Sequence, residues 1–207
     1  MVERVRFHFD PICPWCYQAA RWIWRLVELG EVEADWAVFS LAIANDGNEE
    51  SRVKRHDRSE PALRTVIAVR ERHGREAVGE FYRQLGRRVH ERGEPLEELE
   101  TVKGALSDAG LDVALCEKAM SDDATRTAFM AEHDALVQRT RSFGVPTIVL
   151  DGGDGPAIFG PVIAQVPSDE EAVHLWRHVS WLVRHDAFAE LKRDRTDITD
   201  LASFRPR

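Results

Sequence analysis

Two cysteines three residues apart, Cys13-Pro14-Trp15-Cys16, stand where a strand-like stretch gives way to a helix-like one. Before them Val5, Phe7 and Phe9 alternate with Arg6, His8 and Asp10, the period-two signal of a strand with one covered face. Pro11 ends that strand. After them Trp15, Ala19, Trp22, Ile23, Leu26 and Val27 recur at helical spacing, and Gly30 suits a C-terminal cap. An apolar stretch from Val32 to Ser40, with Trp36 at its middle, predicts a second strand. The first forty residues therefore read as strand–helix–strand with both cysteines at the start of the helix.

That position gives the pair a chemistry. Free N–H groups at a helix start, and the positive end of the helix dipole, favour a thiolate at Cys13. Pro14 suits the first helical position, where its missing N–H costs nothing. Cys16 lies on nearly the same face one turn on, within reach of the Cys13 sulfur. Attack and resolution are thus available in one turn: Cys13 forms a mixed disulfide and Cys16 displaces the partner. The competing reading is half of a zinc site, which needs two further closely spaced ligands. Cys116 stands alone in a predicted helix and no His pair has the matching spacing, so no metal is expected.

Beyond the second strand, Leu41 to Arg58 is polar, contains Asn45-Asp46-Gly47-Asn48, and reads as a loop. Helical patterns follow over Pro61–His73, Glu76–Glu91, Leu96–Ala109, Asp112–Met120 and Asp122–Phe143, separated at Gly74, Gly93-Glu94-Pro95, Gly110 and Gly144. Thr147–Leu150 and Ala157–Phe159 flank the turn Asp151-Gly152-Gly153-Asp154-Gly155 and predict a hairpin. Ser168-Asp169-Glu170-Glu171 carries a helix-start signature, and the tail from Asp186 reads as helical at first, then polar and loosely held. With the helical block removed, the order is that of a thioredoxin fold. The expected class is α/β, a thioredoxin fold over residues 1–58 and 144–207 with an all-helical insertion over 59–143.

Composition narrows the setting. With three cysteines in 207 residues a disulfide framework is excluded, leaving a close pair for redox or metal work. Hydrophobic residues at 43% and charged residues at 31% describe an ordinary globular chain. The formal charge of −8 and the absence of a Lys/Arg block argue against a nucleic-acid partner. No apolar run approaches the roughly 18 residues of a membrane helix, and the sequence opens directly on strand pattern. A cytoplasmic setting is expected, where disulfides are usually transient and catalytic. Basic residues are nearly all Arg, with Lys only at 54, 103, 118 and 192, a pattern that fits a GC-rich genome.

Val145-Pro146-Thr147 is the second signal. A proline just ahead of a sheet strand either ends the preceding helix or forms a cis turn against the cysteine pair, freeing the Val145 backbone for an incoming chain or ligand. Asp10-Pro11-Ile12-Cys13-Pro14-Trp15-Cys16, the helical block and Val145-Pro146-Thr147 together resemble the DsbA-like branch of the thioredoxin superfamily, nearly end to end. Within it, Ser40-Leu41-Ala42-Ile43 with Asn45, Phe159-Gly160-Pro161-Val162, and Glu170-Glu171-Ala172 ahead of Leu175-Trp176 are similar to the actinobacterial mycothiol-dependent nitroreductases.

The resemblance implies a reductase drawing electrons from a low-molecular-weight thiol, mycothiol, with no bound cofactor. It implies a small electrophilic or disulfide substrate, and a glutaredoxin-like protein as an alternative reductant. Cys13 and Cys16 would be catalytic, Pro14, Trp15, Val145 and Pro146 would support the site, and Trp15 and Asn45 would line the pocket. The 46–60 stretch departs from the group's pattern, and nothing is carried over from it.

Several residues have plainer readings. Cys116 reads as a small buried helix residue, and Trp22 and Trp24 as core. His8 is either an ordinary strand histidine or directed at the site. Asp10 either shapes the turn at Pro11 or exchanges a proton with Cys16. His90 and His133 lie on helices of the block, where either a cleft-facing or a structural role fits. Two other functions remain open on sequence alone. One is a thiol-dependent isomerase or transferase of the hydroxychromene-carboxylate isomerase or kappa glutathione transferase type, which needs no resolving thiol. The other is a redox-linked holdase chaperone using the helical block.

Overall fold

The computed structural model describes residues 2–45 and 57–204. Strand β1 (Glu3–Phe9) leads through the cysteine turn into α1 (Pro14–Glu28) and then β2 (Val32–Val38), which pairs parallel to β1. The strand–helix–strand opening is therefore present as the periodicity predicts. One detail differs. β1 was expected to cover one face, yet Phe7, His8 and Phe9 are all buried. β1 is an inner strand of the sheet, and its last three residues are covered on both sides.

A short helix, α2 (Leu41–Ala44), follows β2 where a loop was expected. The Ser40 hydroxyl accepts the Ile43 N–H at 3.3 Å, a cap that starts a turn the polar composition concealed. Of the rest of the loop expected from Leu41 to Arg58, 46–56 lies outside the described residues, and its end belongs to a short helical turn, Asp57–Ser59. Among the described residues, five further helices then precede the rest of the sheet: α3 (Glu60–His73), α4 (Arg75–Gly86), α5 (Leu99–Asp108), α6 (Ala114–Ser121) and α7 (Asp123–Thr140).

The helix expected over Glu76–Glu91 is not uniform, because its last turn, Arg87–Glu91, widens to π geometry. The change sits where α4 packs on Tyr17. A Cβ on Gly86 would collide with the Tyr17 ring, so glycine is required there. The last helix of this group stops at Arg141, whose φ of 54° is left-handed, rather than running to Phe143.

β3 (Thr147–Val149) and β4 (Ala157–Phe159) form the expected hairpin, and β3 runs antiparallel to β1, giving the sheet order β2-β1-β3-β4. α8 (Asp169–Val183) starts on the predicted capping box of Ser168 and Glu171. It packs back on α1, where Trp22 is fully buried, donates its indole N–H to the Ala172 carbonyl at 3.1 Å, and meets the Trp176 ring at 6.0 Å.

The tail corrects the sequence reading in both halves. No helix forms after Val183 until the single turn Ala202–Phe204. Nor is the tail loose: Ile198 and Leu201 are buried, and Asp200 pairs with Arg21 at 2.5 Å and accepts from Gln18 at 3.3 Å. Two isolated apolar residues in a polar run carry no periodic signal, yet they seat the segment across α1.

Candidate active site

The β1–α1 turn builds the site. Asp10 is fully buried, and its backbone carbonyl accepts the Cys13 N–H at 2.9 Å. Its carboxylate accepts the Ile12 N–H at 3.1 Å and the Leu41 N–H at 2.8 Å, and the Ser59 hydroxyl also donates to it. Asp10 thus fixes the turn ahead of Cys13 to the start of α2. The turn-forming role holds, and the burial it requires changes the acid: loss of solvent pushes its pKa up to about 6, against the pull of its three donors.

Cys13 caps α1 in an extended conformation, and its sulfur accepts the Cys16 backbone N–H at 3.3 Å. Pro14 takes the first helical position, as its missing N–H predicts. The two thiols are free, and they differ in access. Cys13 keeps 8% of its surface open, whereas Cys16 has none. Burial pushes the Cys16 pKa well up, and the hydrogen bond with Cys13 adds to the shift; a backbone hydrogen bond from Asp10 opposes it. The outer sulfur meets a donor and a helix N-terminus with no acidic side chain in its first turn.

The Val145–Pro146 bond is cis, and the Val145 carbonyl lies 3.9 Å from the Cys13 sulfur. The Pro146 carbonyl accepts the Gly160 N–H at 2.7 Å, and Gly160–Pro161 is a second cis bond. Phe143 is 73% exposed and packs on Phe159 at 4.8 Å, giving this loop an aromatic edge.

The other candidates fall into two groups. Trp15 is half-buried at the site, with the Arg195 guanidinium 5.4 Å over its ring. Asn45 is exposed, and its amide donates to the Leu41 carbonyl at 2.7 Å, closing α2. His90 lies under the cysteine turn. It stacks on Tyr17 at 5.3 Å, donates through Nε2 to the Pro11 carbonyl at 2.9 Å, and accepts the Ser203 hydroxyl at Nδ1, 3.2 Å away. A carbonyl can only accept, which fixes that tautomer. Burial lowers the His90 pKa to about 4, so the ring stays neutral.

His133 is buried against Phe39 and accepts the Ser40 N–H at 3.2 Å. His8 is buried with its Nδ1 3.5 Å from the Val38 carbonyl, and burial depresses its pKa to about 3. Cys116 is fully buried and hydrogen-bonds Thr65 on α3. Its pKa is raised, chiefly by burial. No group of three or more metal-ligating side chains occurs among the described residues.

Sequence reasoning missed Tyr82, Ser59 and Arg195. Tyr82 is buried, stacks on Phe9 at 3.7 Å, and its hydroxyl has no hydrogen-bond partner among the described residues. Burial raises its pKa, and the charged forms of Cys16 and Cys13 add to the shift. No motif announces any of the three, since each reaches the site from a separate part of the chain.

Comparison with known proteins agrees with this architecture. Rv2286c of Mycobacterium tuberculosis is 29% identical over 194 residues, covering 93% of this chain and 82% of that protein. The cytosolic disulfide reductase DsbM from Pseudomonas aeruginosa superposes with a TM-score of 0.61 at 17% identity, over 86% of this chain and 99% of that one. A 2-hydroxychromene-2-carboxylate isomerase superposes with a TM-score of 0.62 at 16% identity, over 89% and 98%. These structures share the DsbA-like thioredoxin fold. The model of the family described as Rv2466c-like, mycothiol-dependent nitroreductase Rv2466c, matches residues 12–193. The chain belongs to that Rv2466c-like family, and it is a thiol-dependent oxidoreductase of the DsbA-like thioredoxin fold.

Proposed function

We propose that this protein is a cytoplasmic thiol–disulfide oxidoreductase that reduces a small disulfide or electrophile with electrons from a low-molecular-weight thiol, mycothiol. The observation that carries the reading is the asymmetry of the pair. Cys13 keeps a small exposed edge and its sulfur accepts a backbone donor, while Cys16 is fully buried and holds its proton.

For a disulfide substrate, the Cys13 thiolate attacks one sulfur and releases the other half as a thiolate. Cys16 gives its proton to the ionised Asp10 carboxylate and attacks the Cys13 sulfur, expelling the second half and closing the Cys13–Cys16 disulfide. Two molecules of thiol then restore the dithiol and leave as their own disulfide, so electrons and protons balance. In this reading Trp15 and the Val145–Pro146 loop would flank the substrate at Cys13, as the 3.9 Å approach of the Val145 carbonyl supports, and Asn45 at the end of α2 would be a further substrate contact. The family description supports mycothiol as donor, and a structure of DsbM with GSH shows a relative in the company of a small thiol.

Turnover of a disulfide substrate with mycothiol tests this. Cys13→Ser should abolish it, and Cys16→Ser should stall after the first attack. Undiminished turnover in Cys13→Ser overturns the reading. Full activity in Cys16→Ser favours a transferase or isomerase mechanism, which needs no resolving thiol.

A further inference from the structure

The C-terminal segment reaches the mouth of the site. Its anchor is firm: Ile198 is 1% exposed and Leu201 fully buried, Asp200 pairs with Arg21, and the Ser203 hydroxyl donates to His90. His90 in turn holds the Pro11 carbonyl, two residues before Cys13. Upstream of this anchor the chain places the Arg195 guanidinium over the Trp15 indole, between the two cysteines in sequence. A cation over an indole face is an attractive arrangement and fixes where the charge sits.

The Arg195 guanidinium forms no ion pair among the described residues, although the segment around it carries Asp194 and Asp197. Many other arginines of the chain, such as Arg21, Arg25, Arg64, Arg70, Arg88 and Arg184, are bonded to carboxylates. The first turn of α1 beneath it carries no acidic side chain, and its N-terminus adds positive potential. Arg195 is thus an exposed cation held over Trp15, in the turn between the two cysteines, with no carboxylate paired to it among the described residues.

We infer that Arg195, seated on Trp15 by the docked C-terminal segment, selects substrates bearing a carboxylate or another anionic group next to the sulfur that Cys13 attacks. The inference rests on Cys13 being the nucleophile, and it adds the substrate class. The guanidinium can also form a two-pronged bond with a carboxylate, which lysine cannot.

The test is a stopped-flow measurement of the pre-reduced full chain with two aromatic disulfides, each read by the thiolate released. One is the dianion 5,5′-dithiobis(2-nitrobenzoate), and the other is neutral 2,2′-dithiodipyridine. In each case the protein dithiol becomes a disulfide and two aromatic thiols leave, so no external donor is needed. The ratio of the dianion rate to the neutral rate should fall about five- to tenfold in Arg195→Gln, and should be largely restored in Arg195→Lys. That ratio should also fall with added salt in the wild type and hardly change with salt in Arg195→Gln. An unchanged ratio in Arg195→Gln overturns the anion site, even if both rates drop together. Reaction that persists in Cys13→Ser overturns the nucleophile assignment, and the anion site with it.

Discussion

The backbone N–H of Cys16 points at the sulfur of Cys13 from 3.3 Å. One turn of helix thereby places a donor on the Cys13 sulfur and leaves the second thiol, Cys16, fully buried. The Val145 carbonyl stands 3.9 Å away on the opposite wall. In the proposed reaction a disulfide would approach Cys13 between α1 and the Val145–Pro146 loop. In the proposed mechanism the remaining step is removal of the proton from the fully buried Cys16, and the buried Asp10 is the base assigned to it.

Asp10→Asn should slow resolution of the mixed disulfide by about a hundredfold, with little effect on the first attack. In the wild type the resolution rate should fall as pH drops through about 6, where Asp10 takes up its proton. The variant should lack that limb. Rapid quench and mass spectrometry, following the mixed disulfide over time, read both effects.

The same substitution should leave a mark on stability. Asp10 has its folded pKa raised from 3.8 to about 6, so its contribution is fully present below about pH 4 and is lost as pH rises to about 6. Between those limits Asp10→Asn should gain on the wild type by on the order of 3 kcal/mol. Urea unfolding at pH 4 and pH 7 measures the difference.

His90 works in the other direction. Its folded pKa is lowered from 6.5 to about 4, so the unfolded chain binds the proton first and stability falls as pH drops from about 6.5 to about 4. His8, lowered to about 3, acts with the same sign. Gln at position 90 can donate to Pro11 and accept from Ser203 without titrating. His90→Gln should therefore remove about 3 kcal/mol of the acid-side loss, read from urea midpoints across that range.

Trp22 ties α1, which carries the cysteines, to α8. Trp22→Phe keeps an aromatic ring but loses the 3.1 Å indole N–H bond to the Ala172 carbonyl, which still has its helical donor, so the lost bond should cost about 0.5–1.5 kcal/mol. Trp22→Ala should cost about 3–5 kcal/mol through the cavity it opens. Both should lower the urea midpoint at unchanged m-value.

Much of this was legible in local pattern. The alternation of Val5, Phe7 and Phe9, the proline after Cys13, and the Ser168–Glu171 box each encode their own element, and the structure has all three. The features that escaped are those decided by contacts distant in sequence. Arg87–Glu91 takes π geometry where His90 meets Tyr17 and Pro11, which helical periodicity cannot show. The segment after Val183 lacks a period altogether, yet Ile198 and Leu201 find buried seats on other elements. Gly144 looked like a helix stop; the helix ends earlier at Arg141, and Gly144 lies against the Phe159 ring, where a Cβ would come within 3.4 Å. Of the site, the cysteines and Pro146 stood out by spacing. Ser59, Tyr82 and Arg195 did not, because a lone serine, tyrosine or arginine signals nothing until the fold brings it to Asp10, Phe9 or Trp15.

In the proposed reaction the Cys13 sulfur is the atom that meets the small thiol. Reduced Cys16→Ser protein, mixed with mycothiol disulfide and examined by intact mass and peptide mapping, tests this directly. The account predicts one mycothiol per chain, linked to Cys13, stable until a reductant is added, and absent when Cys13 is also changed to Ser. No adduct on Cys13, or an adduct on Cys116 instead, with the wild-type protein still turning over mycothiol, would contradict it.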